Sequence, residues 1–404
     1  MWIQSKLAVA LLALLLPAML SAQPVVLRPG TARAAGMSDQ ALRAAAAVYA
    51  DAVTKGKIVG GVLLIARRGH VVVHEAFGLR DWHARLPMER NTMFRMSSNT
   101  KPLIATAVAI LAERGRLRFS DSVKSHLPSW NNRKARGITI HQLLSHTSGI
   151  QIDGMFAPAL LRWPWSSPPT LRSETDRIGR VGAKITPGTV YFYTNAGYNA
   201  LGGLIETVVD QPLELFLRDE IYRKLGMRDS YNLEVAENLN GKLRRMGPTY
   251  VQGDGGGWTI MWKPGDPPEV PFARGSGGLI TTAWDYAVFM QMLLNGGTYD
   301  GVRLLQAETV RTILTAHTPP GARPYGYGWG INEGGIFTHS GSTGTYAWGD
   351  PARGIIVVAL ANTPSATELR SAMMEIVSRA ADSSSDRPRQ IGVRAGVSRG
   401  RTVH

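Results

Sequence analysis

Strand-like sequence occurs at the two ends of this chain, while the stretch between them is patterned mainly for helices. Near the N-terminus, Gly61–Ala66 and His70–Phe77 are β-rich runs joined by Arg67-Arg68-Gly69, which predicts a hairpin. Near the C-terminus, Gly335–Thr338, Gly344–Gly349 and Ile355–Leu360 are short runs separated by turns, the spacing of an antiparallel meander. The middle carries helical patterns over Ser98–Arg114, Thr139–Leu144, Gly197–Val209 and Leu213–Leu225, with another over Thr282–Leu294 closed by Gly296-Gly297. Strands in such short sets cannot bury their faces alone. The pattern therefore predicts an α+β fold, with one antiparallel sheet built from both chain ends. Helices at Ala41–Val53, capped by Ser38, and at Ser365–Ala381 would flank it. The sheet lobe is expected over residues 36–95 and 273–382 and a mainly helical lobe over 96–272, with a cleft between them. Asp153–Lys184 and Gln252–Phe272 fit no periodicity. Their mixture of Pro, Gly and Trp (Trp163, Trp165, Trp258, Trp262) suggests packed loops over the cleft.

The length of 404 residues, 44% of them hydrophobic, provides for a large core in two structural units. Residues 1–22 stand apart. Lys6 precedes an apolar run from Leu7 to Leu20, and Leu20-Ser21-Ala22 ends in small residues, the pattern of an export signal cleaved after Ala22. The rival reading is a retained anchor, although the run falls short of a comfortable span of roughly 20 residues. Cleavage predicts a periplasmic or secreted protein. The absence of cysteine excludes disulfides, a thiol nucleophile, thiolate metal sites and a lipid on a cysteine.

The net charge of +15 invites a nucleic-acid reading, but no aromatic-basic motif supports one. Much of the excess is dispersed, and residues 383–404 form an Arg-rich segment without periodicity, expected to be a disordered tail. A weak electrostatic contact of that tail with anionic envelope surfaces is the partner it suggests. The sequence specifies no oligomeric state.

Three ordered motifs carry chemistry. Ser98-Asn99-Thr100-Lys101 opens the first central helix, so Ser98 and Lys101 share a helical face at i, i+3. The positive end of the helix favours negative charge on the serine oxygen. Those are the needs of a serine nucleophile. Tyr193-Thr194-Asn195 precedes another helix, and residues at i, i+2 of an extended segment project to one side. The phenol could relay protons there, and the amide could position the lysine and a substrate carbonyl. His339-Ser340-Gly341 ends a strand run, where glycine permits close approach of the backbone to a ligand. The Ser342 amide could then join that of Ser98 in an oxyanion hole.

Beside these stand Ile140-His141-Gln142-Leu143-Leu144-Ser145-His146-Thr147-Ser148-Gly149, Pro187-Gly188, Gly197-Tyr198, Leu201-Gly202 and Gly277-Gly278-Leu279-Ile280-Thr281-Thr282. Over roughly Gly36 to Asp382 the chain resembles the serine β-lactamase and penicillin-binding protein superfamily. Within it, the resemblance is to the branch of class C β-lactamases, D-alanyl-D-alanine carboxypeptidases and family VIII esterases. That resemblance implies a β-lactamase/transpeptidase-like fold, no cofactor and no metal. It implies Ser98 as the acylated nucleophile, Lys101 as proton acceptor or electrostatic activator, and Tyr193 as general base. Asn195, His339, Gly341 and Ser342 would bind substrate, an ester, a peptide or a β-lactam. Cationic neighbours are expected to lower the Tyr193 pKa toward phenolate.

The sequence departs from the lactamase pattern at His339, where those enzymes keep a lysine. A histidine partly charged near neutrality would hold a carboxylate less firmly, which favours an esterase or peptidase over efficient β-lactam hydrolysis. A true class C-type β-lactamase and a binding or sensor domain without turnover are the alternatives. His141 and His146, five positions apart with no carboxylate beside them, read as structural rather than metal ligands. Gly396-Val397-Ser398-Arg399-Gly400 matches a hydrolase elbow, but its flanks lack the strand and helix that elbow requires.

Overall fold

A computed structural model describes residues 25–152 and 169–382, apart from 234–238, 240, 254, 269, 365, 367 and 368. The export signal, Trp163, Trp165, the Arg-rich tail and the Gly396–Gly400 motif lie outside the described residues.

The sheet is drawn from both chain ends. Its N-terminal strands are β1 (Arg28–Pro29), β2 (Gly60–Arg67), β3 (His70–Asp81) and β4 (Leu86–Pro87). Its C-terminal strands are β5 (Gly330–Ile331), β6 (Phe337–Gly341), β7 (Thr345–Asp350) and β8 (Ile355–Ala361). The order across it is β1-β3-β2-β8-β7-β6-β5, with β4 also paired to β3. The two ends of the chain meet where Leu64 of β2 lies opposite Val358 of β8. Each pairing is antiparallel except one. Strand β1 runs parallel to β3, with Arg28 beside His70, so the expected wholly antiparallel sheet fails at that edge. Connectivity permits it: two helices and β2 intervene between the two segments, a connection long enough for a parallel pairing.

The principal helices are α1 (Asp39–Thr54), α2 (Lys101–Glu113), α3 (Ile140–Leu144), α4 (Leu171–Val181), α5 (Asn195–Val209), α6 (Leu213–Leu217), α7 (Ala283–Leu294) and α8 (Leu369–Asp382). All eight residues of β2 are buried, so it reads as a continuous apolar run rather than an alternation. Successive side chains face opposite layers. Leu63 and Ile65 pack with Tyr49 of α1 and Val377 of α8, while Val62 and Leu64 pack with Val108 of α2 and Phe289 of α7. Truncating Leu64 to alanine would cost about 2–5 kcal/mol, the usual range for a fully buried leucine.

Three local outcomes differ from the sequence reading. Ser97–Thr100 form a 3₁₀ turn and the α-helix starts only at Lys101, with Pro102 in the first turn, where a missing N–H costs little. Leu171–Val181, within a stretch without legible periodicity, is helix α4, opened by a reciprocal cap between Thr170 and Ser173. Its buried face includes Glu174, Thr175 and Gly179, which leaves little apolar signal to read. Thr249–Gln252 and Trp258–Trp262 form an antiparallel hairpin. Trp258 packs against Val59 and Tyr250, and Trp262 against Met93, Leu239 and Met246, so neither covers the cleft as expected.

Two distant stretches of the chain meet beside the first motif. Phe94–Arg95 pairs with Ile280–Thr281, and the Met96 N–H donates to the Leu279 carbonyl at 2.8 Å.

Candidate active site

Ser98 sits half-buried in the 3₁₀ turn, where side chains at i and i+3 eclipse one another. Lys101 therefore stacks over it, with Nζ 2.9 Å from Ser98 Oγ. The turn is held by residues distant along the chain. Thr100 Oγ1 donates to the Ser97 carbonyl at 2.7 Å and accepts the Leu279 N–H at 2.9 Å. The Asn99 amide reaches the sheet: Nδ2 donates to the His339 carbonyl at 3.2 Å, and Oδ1 accepts from Thr345 Oγ1 at 2.9 Å and from the Gly341 N–H at 3.3 Å. A Cβ on Gly341 would come within 2.3 Å of the Met96 carbonyl oxygen. Glycine is thus needed there for the approach of β6 to the Ser98 turn, rather than only for a ligand.

Lys101 has no exposed surface. Besides Ser98, its Nζ donates to Asn195 Oδ1 at 2.8 Å and to the Ser276 carbonyl at 3.0 Å. Burial, assisted by Arg274, pushes its pKa well below the usual lysine value. An uncharged amine has two N–H bonds and one lone pair. Two of its three neighbours are carbonyl oxygens that can only accept, so the lone pair is left for the hydroxyl of Ser98.

Tyr193 and Asn195 reach the same centre from the entry to α5, whose N-cap is Thr194. Lys101 Nζ lies 4.7 Å from the centre of the Tyr193 ring, and the Tyr193 hydroxyl hydrogen-bonds Ser98. The expected phenolate is not supported. Tyr193 is 38% exposed on its cavity side, but desolvation of its hydroxyl end raises its pKa and outweighs the hydrogen bond to Ser98. With Lys101 drawn toward the amine, the positive charge that was to lower Tyr193 is itself diminished.

His146 brackets Tyr193. Its carbonyl accepts the Phe192 N–H at 2.8 Å and its Nδ1 accepts the Thr194 N–H at 3.2 Å. Its ring centre lies 4.4 Å from that of Tyr193, and its backbone takes a left-handed φ of 59°. With Nδ1 accepting, the neutral ring carries its proton on Nε2, which is buried without a hydrogen-bond partner among the described residues. Burial, then Lys101 and His339, hold this ring well below the usual histidine pKa. His141 lies apart, its Nδ1 2.7 Å from the Tyr327 hydroxyl.

The sheet forms the opposite wall of a cavity of about 330 Å³ lined by Ser98, Tyr193, Arg323, Tyr325, His339, Gly341, Ser342 and Arg370 among others. His339 Nδ1 lies 3.0 Å from the Ser340 carbonyl and must donate to it. Nε2 then accepts from the Tyr325 hydroxyl at 3.0 Å. Both nitrogens are engaged, and burial, followed by Lys101, pushes the ring's pKa down to about 3. The expected part-charged histidine is therefore neutral across the physiological range. Cationic charge on this wall comes from Arg323 and Arg370, neither of which has a carboxylate partner among the described residues. The Arg370 guanidinium stands 5.3 Å from the centre of the Tyr346 ring.

All seven residues expected from sequence thus gather around one cavity and the lysine beneath it. Sequence reasoning missed Tyr325, both arginines, the Ser276 carbonyl and the part played by His146. Only Tyr325 had a visible signal, the Gly–aromatic alternation of Tyr325-Gly326-Tyr327-Gly328-Trp329-Gly330. Gly328, at φ 78°, presses against Pro102 at the start of α2.

A serine in a tight turn, a buried lysine, a tyrosine at a helix entry and a strand wall together define the serine β-lactamase-like class of sites. The chain belongs to the β-lactamase family, whose model matches residues 43–380. It is 27% identical over 346 residues to an Escherichia coli K12 protein provisionally named as a D-alanyl-D-alanine carboxypeptidase, covering 75% of this chain and 78% of that one. It is 34% identical over 195 residues to esterase EstB of Burkholderia gladioli, covering 45% and 49% respectively. Among solved structures it resembles EstCE1, a hydrolase with promiscuous acyltransferase activity, with a TM-score of 0.72, 25% identity and coverage of 84% of this chain and 99% of the other.

Proposed function

We propose that this chain is an exported serine hydrolase that cleaves esters or amides of carboxylate-bearing substrates through an acyl-enzyme on Ser98. The observation that carries the reading is Lys101, buried and 2.9 Å from Ser98 Oγ, with carbonyl acceptors for its other bonds. As the amine, Lys101 takes the Ser98 proton while Oγ attacks the substrate carbonyl. The backbone amides of Ser98 and Ser342 receive the developing oxyanion. Tyr193, kept a phenol by its raised pKa, gives its proton to the leaving oxygen or nitrogen and recovers one from Lys101. Water entering in place of the leaving group reverses these transfers and frees the acid. No cofactor is called for.

The substrate class follows from the sheet wall. Two arginines beside the nucleophile, without carboxylate partners among the described residues, favour a substrate carrying its own carboxylate. This also supports a second reading, a D,D-peptidase, whose substrate ends in a carboxylate next to the scissile amide. Slow β-lactam hydrolysis fits either. Export rests on the pattern of residues 1–22, and the Arg-rich tail is proposed to touch anionic envelope surfaces weakly.

The test is turnover of short-chain p-nitrophenyl esters by the mature protein, which Ser98→Ala should abolish. Intact-mass analysis after exposure to an ester, a penicillin and a D-Ala-D-Ala peptide shows which reagent acylates and whether the adduct clears. Turnover unaffected by Ser98→Ala defeats the reading, and a stoichiometric adduct that never clears turns it into a sensor.

A further inference from the structure

Glu174 is a carboxyl that the chemistry at Ser98 does not touch, yet it is only 5% exposed on α4. It accepts from Asn199 Nδ2 at 2.9 Å. With its N–H face committed to Glu174, Asn199 turns Oδ1 the other way and accepts the Ser276 N–H at 3.0 Å. The carbonyl of that same Ser276 accepts from Lys101 Nζ at 3.0 Å. A continuous file of hydrogen bonds therefore runs from a buried carboxyl on α4, through α5, to the amine beside the nucleophile.

We infer that Glu174 and Asn199 are positioning residues that aim the Lys101 lone pair at Ser98 through the Ser276 peptide. The inference rests on the reading of Lys101 as the base. Ser276 is flanked by Gly275 and Gly277, whose backbones are intrinsically permissive, so hydrogen bonds must fix the plane of the intervening peptides. Asn199 holds the N–H side. The Ser276 N–H and carbonyl lie in successive peptide planes joined at its Cα, so by pinning the first plane Asn199 limits the swing of the second, which would withdraw one of the two carbonyl acceptors that leave the lone pair facing Ser98. Glu174 in turn decides which end of the Asn199 amide faces Ser276. Burial pushes Glu174 up to about 7, with Asn199 and then Arg274 pulling it back. The carboxyl keeps an oxygen for Asn199 Nδ2 in either protonation state. Asn199 itself is 1% exposed, so water does not take its place.

The experiment is p-nitrophenyl ester turnover across pH, with kcat expressed per active site titrated by the acylation burst. Asn199→Leu should lower kcat about 10- to 100-fold with little change in KM, the size of effect expected from a misplaced catalytic group. Glu174→Leu should follow it, and Glu174→Gln, which keeps an oxygen for Asn199, should recover the loss. Asn199→Asp covers the case in which a leucine variant fails to fold. It keeps an oxygen for the Ser276 N–H but faces Glu174 with a second carboxyl, so the contact survives only while the pair shares a proton. Its kcat should fall at alkaline pH where the wild type holds its plateau. Asn199→Leu and Asn199→Asp both matching wild-type kcat per active site across the profile would overturn the relay. Ser98→Ala separates the two readings: ester turnover that survives it removes the acyl-enzyme. Turnover that needs Ser98 but ignores Asn199 removes only the relay.

Discussion

On the helical side of the cleft, Lys101 is fully buried and its three hydrogen-bond partners are protein oxygens held at 2.8–3.0 Å. On the sheet side, Arg323 and Arg370 face the cavity with no carboxylate partner among the described residues. The first arrangement leaves nothing for a substrate to organise, since its donors and acceptors are already matched. The second leaves charge unmatched, and a ligand can supply the match. In the mechanism proposed above, the base belongs to the first of these arrangements and the selection of substrate to the second. Substitutions on the two sides should therefore separate into effects on kcat and effects on KM.

The largest effect tests the helical side. Lys101→Met fits the buried space but has neither lone pair nor donors. It should lower kcat for p-nitrophenyl acetate by about 10³-fold or more, the upper part of the range for losing a positioned acid–base group. Binding of a neutral ester should hardly change. A loss confined to KM would erase the distinction between the walls.

The next effect belongs to the arginines. Arg323→Gln combined with Arg370→Gln should raise KM about 10- to 100-fold for an ester bearing a carboxylate, the worth of one or two charge-assisted hydrogen bonds. Turnover of p-nitrophenyl acetate provides the control and should stay near its starting value. Equal losses for charged and neutral esters would show that the arginines support the fold rather than select substrate.

These same two walls were unequally legible in the sequence. Ser98, Lys101, Tyr193 and Asn195 could be read because each pair lies within three positions along the chain, so local geometry already places the members together. The two-ended sheet was legible for a similar reason, since short strand runs with turns between them can pair with their neighbours. Arg323 and Arg370 belong to separate segments, and in a chain with 45 lysines and arginines neither carries a mark of its own. Helix α4 escaped because it is poor in apolar residues, its buried face including Glu174, Thr175 and Gly179 beside only Leu171 and Ile178. The state of Tyr193 was misjudged because charge counting omits desolvation, which dominates at its hydroxyl.

A smaller effect probes how the helical wall holds Tyr193. His146→Phe keeps a ring in the aromatic cluster but removes the acceptor for the Thr194 N–H, leaving a buried donor unpaired at a cost of about 1–3 kcal/mol. It also places phenylalanine at φ 59°, a conformation in which bulky residues are strained. The melting temperature should drop by several degrees and kcat by about tenfold, the scale of slight misplacement of Tyr193. His146→Asn offers a side-chain oxygen and tolerates the left-handed backbone, so it should recover much of both. If asparagine proves no better than phenylalanine, the bracket around Tyr193 is not what His146 provides.

The smallest effect concerns His339, the position at which the sequence departs from the lactamase pattern. Were this ring charged near neutrality, it would give the sheet wall a pH-dependent cation, and carboxylate binding would fade as pH rose through about 6.5. Its hydrogen bonds argue otherwise, because Nδ1 donates to the Ser340 carbonyl and Nε2 accepts from Tyr325. Burial, then Lys101, depresses its pKa to about 3, so the ring gains charge only in strong acid. His339→Gln can still accept from Tyr325 and carries no charge at any pH. It should leave kcat/KM for a carboxylate-bearing ester within about fivefold of wild type, what remaking one neutral hydrogen bond is worth. The acid limb of the pH profile should keep its position. A limb near pH 6.5 that disappears with this substitution would transfer the selecting charge from the arginines to the histidine. The contrast between a settled wall and a charged one would then have to be redrawn around a titrating ring.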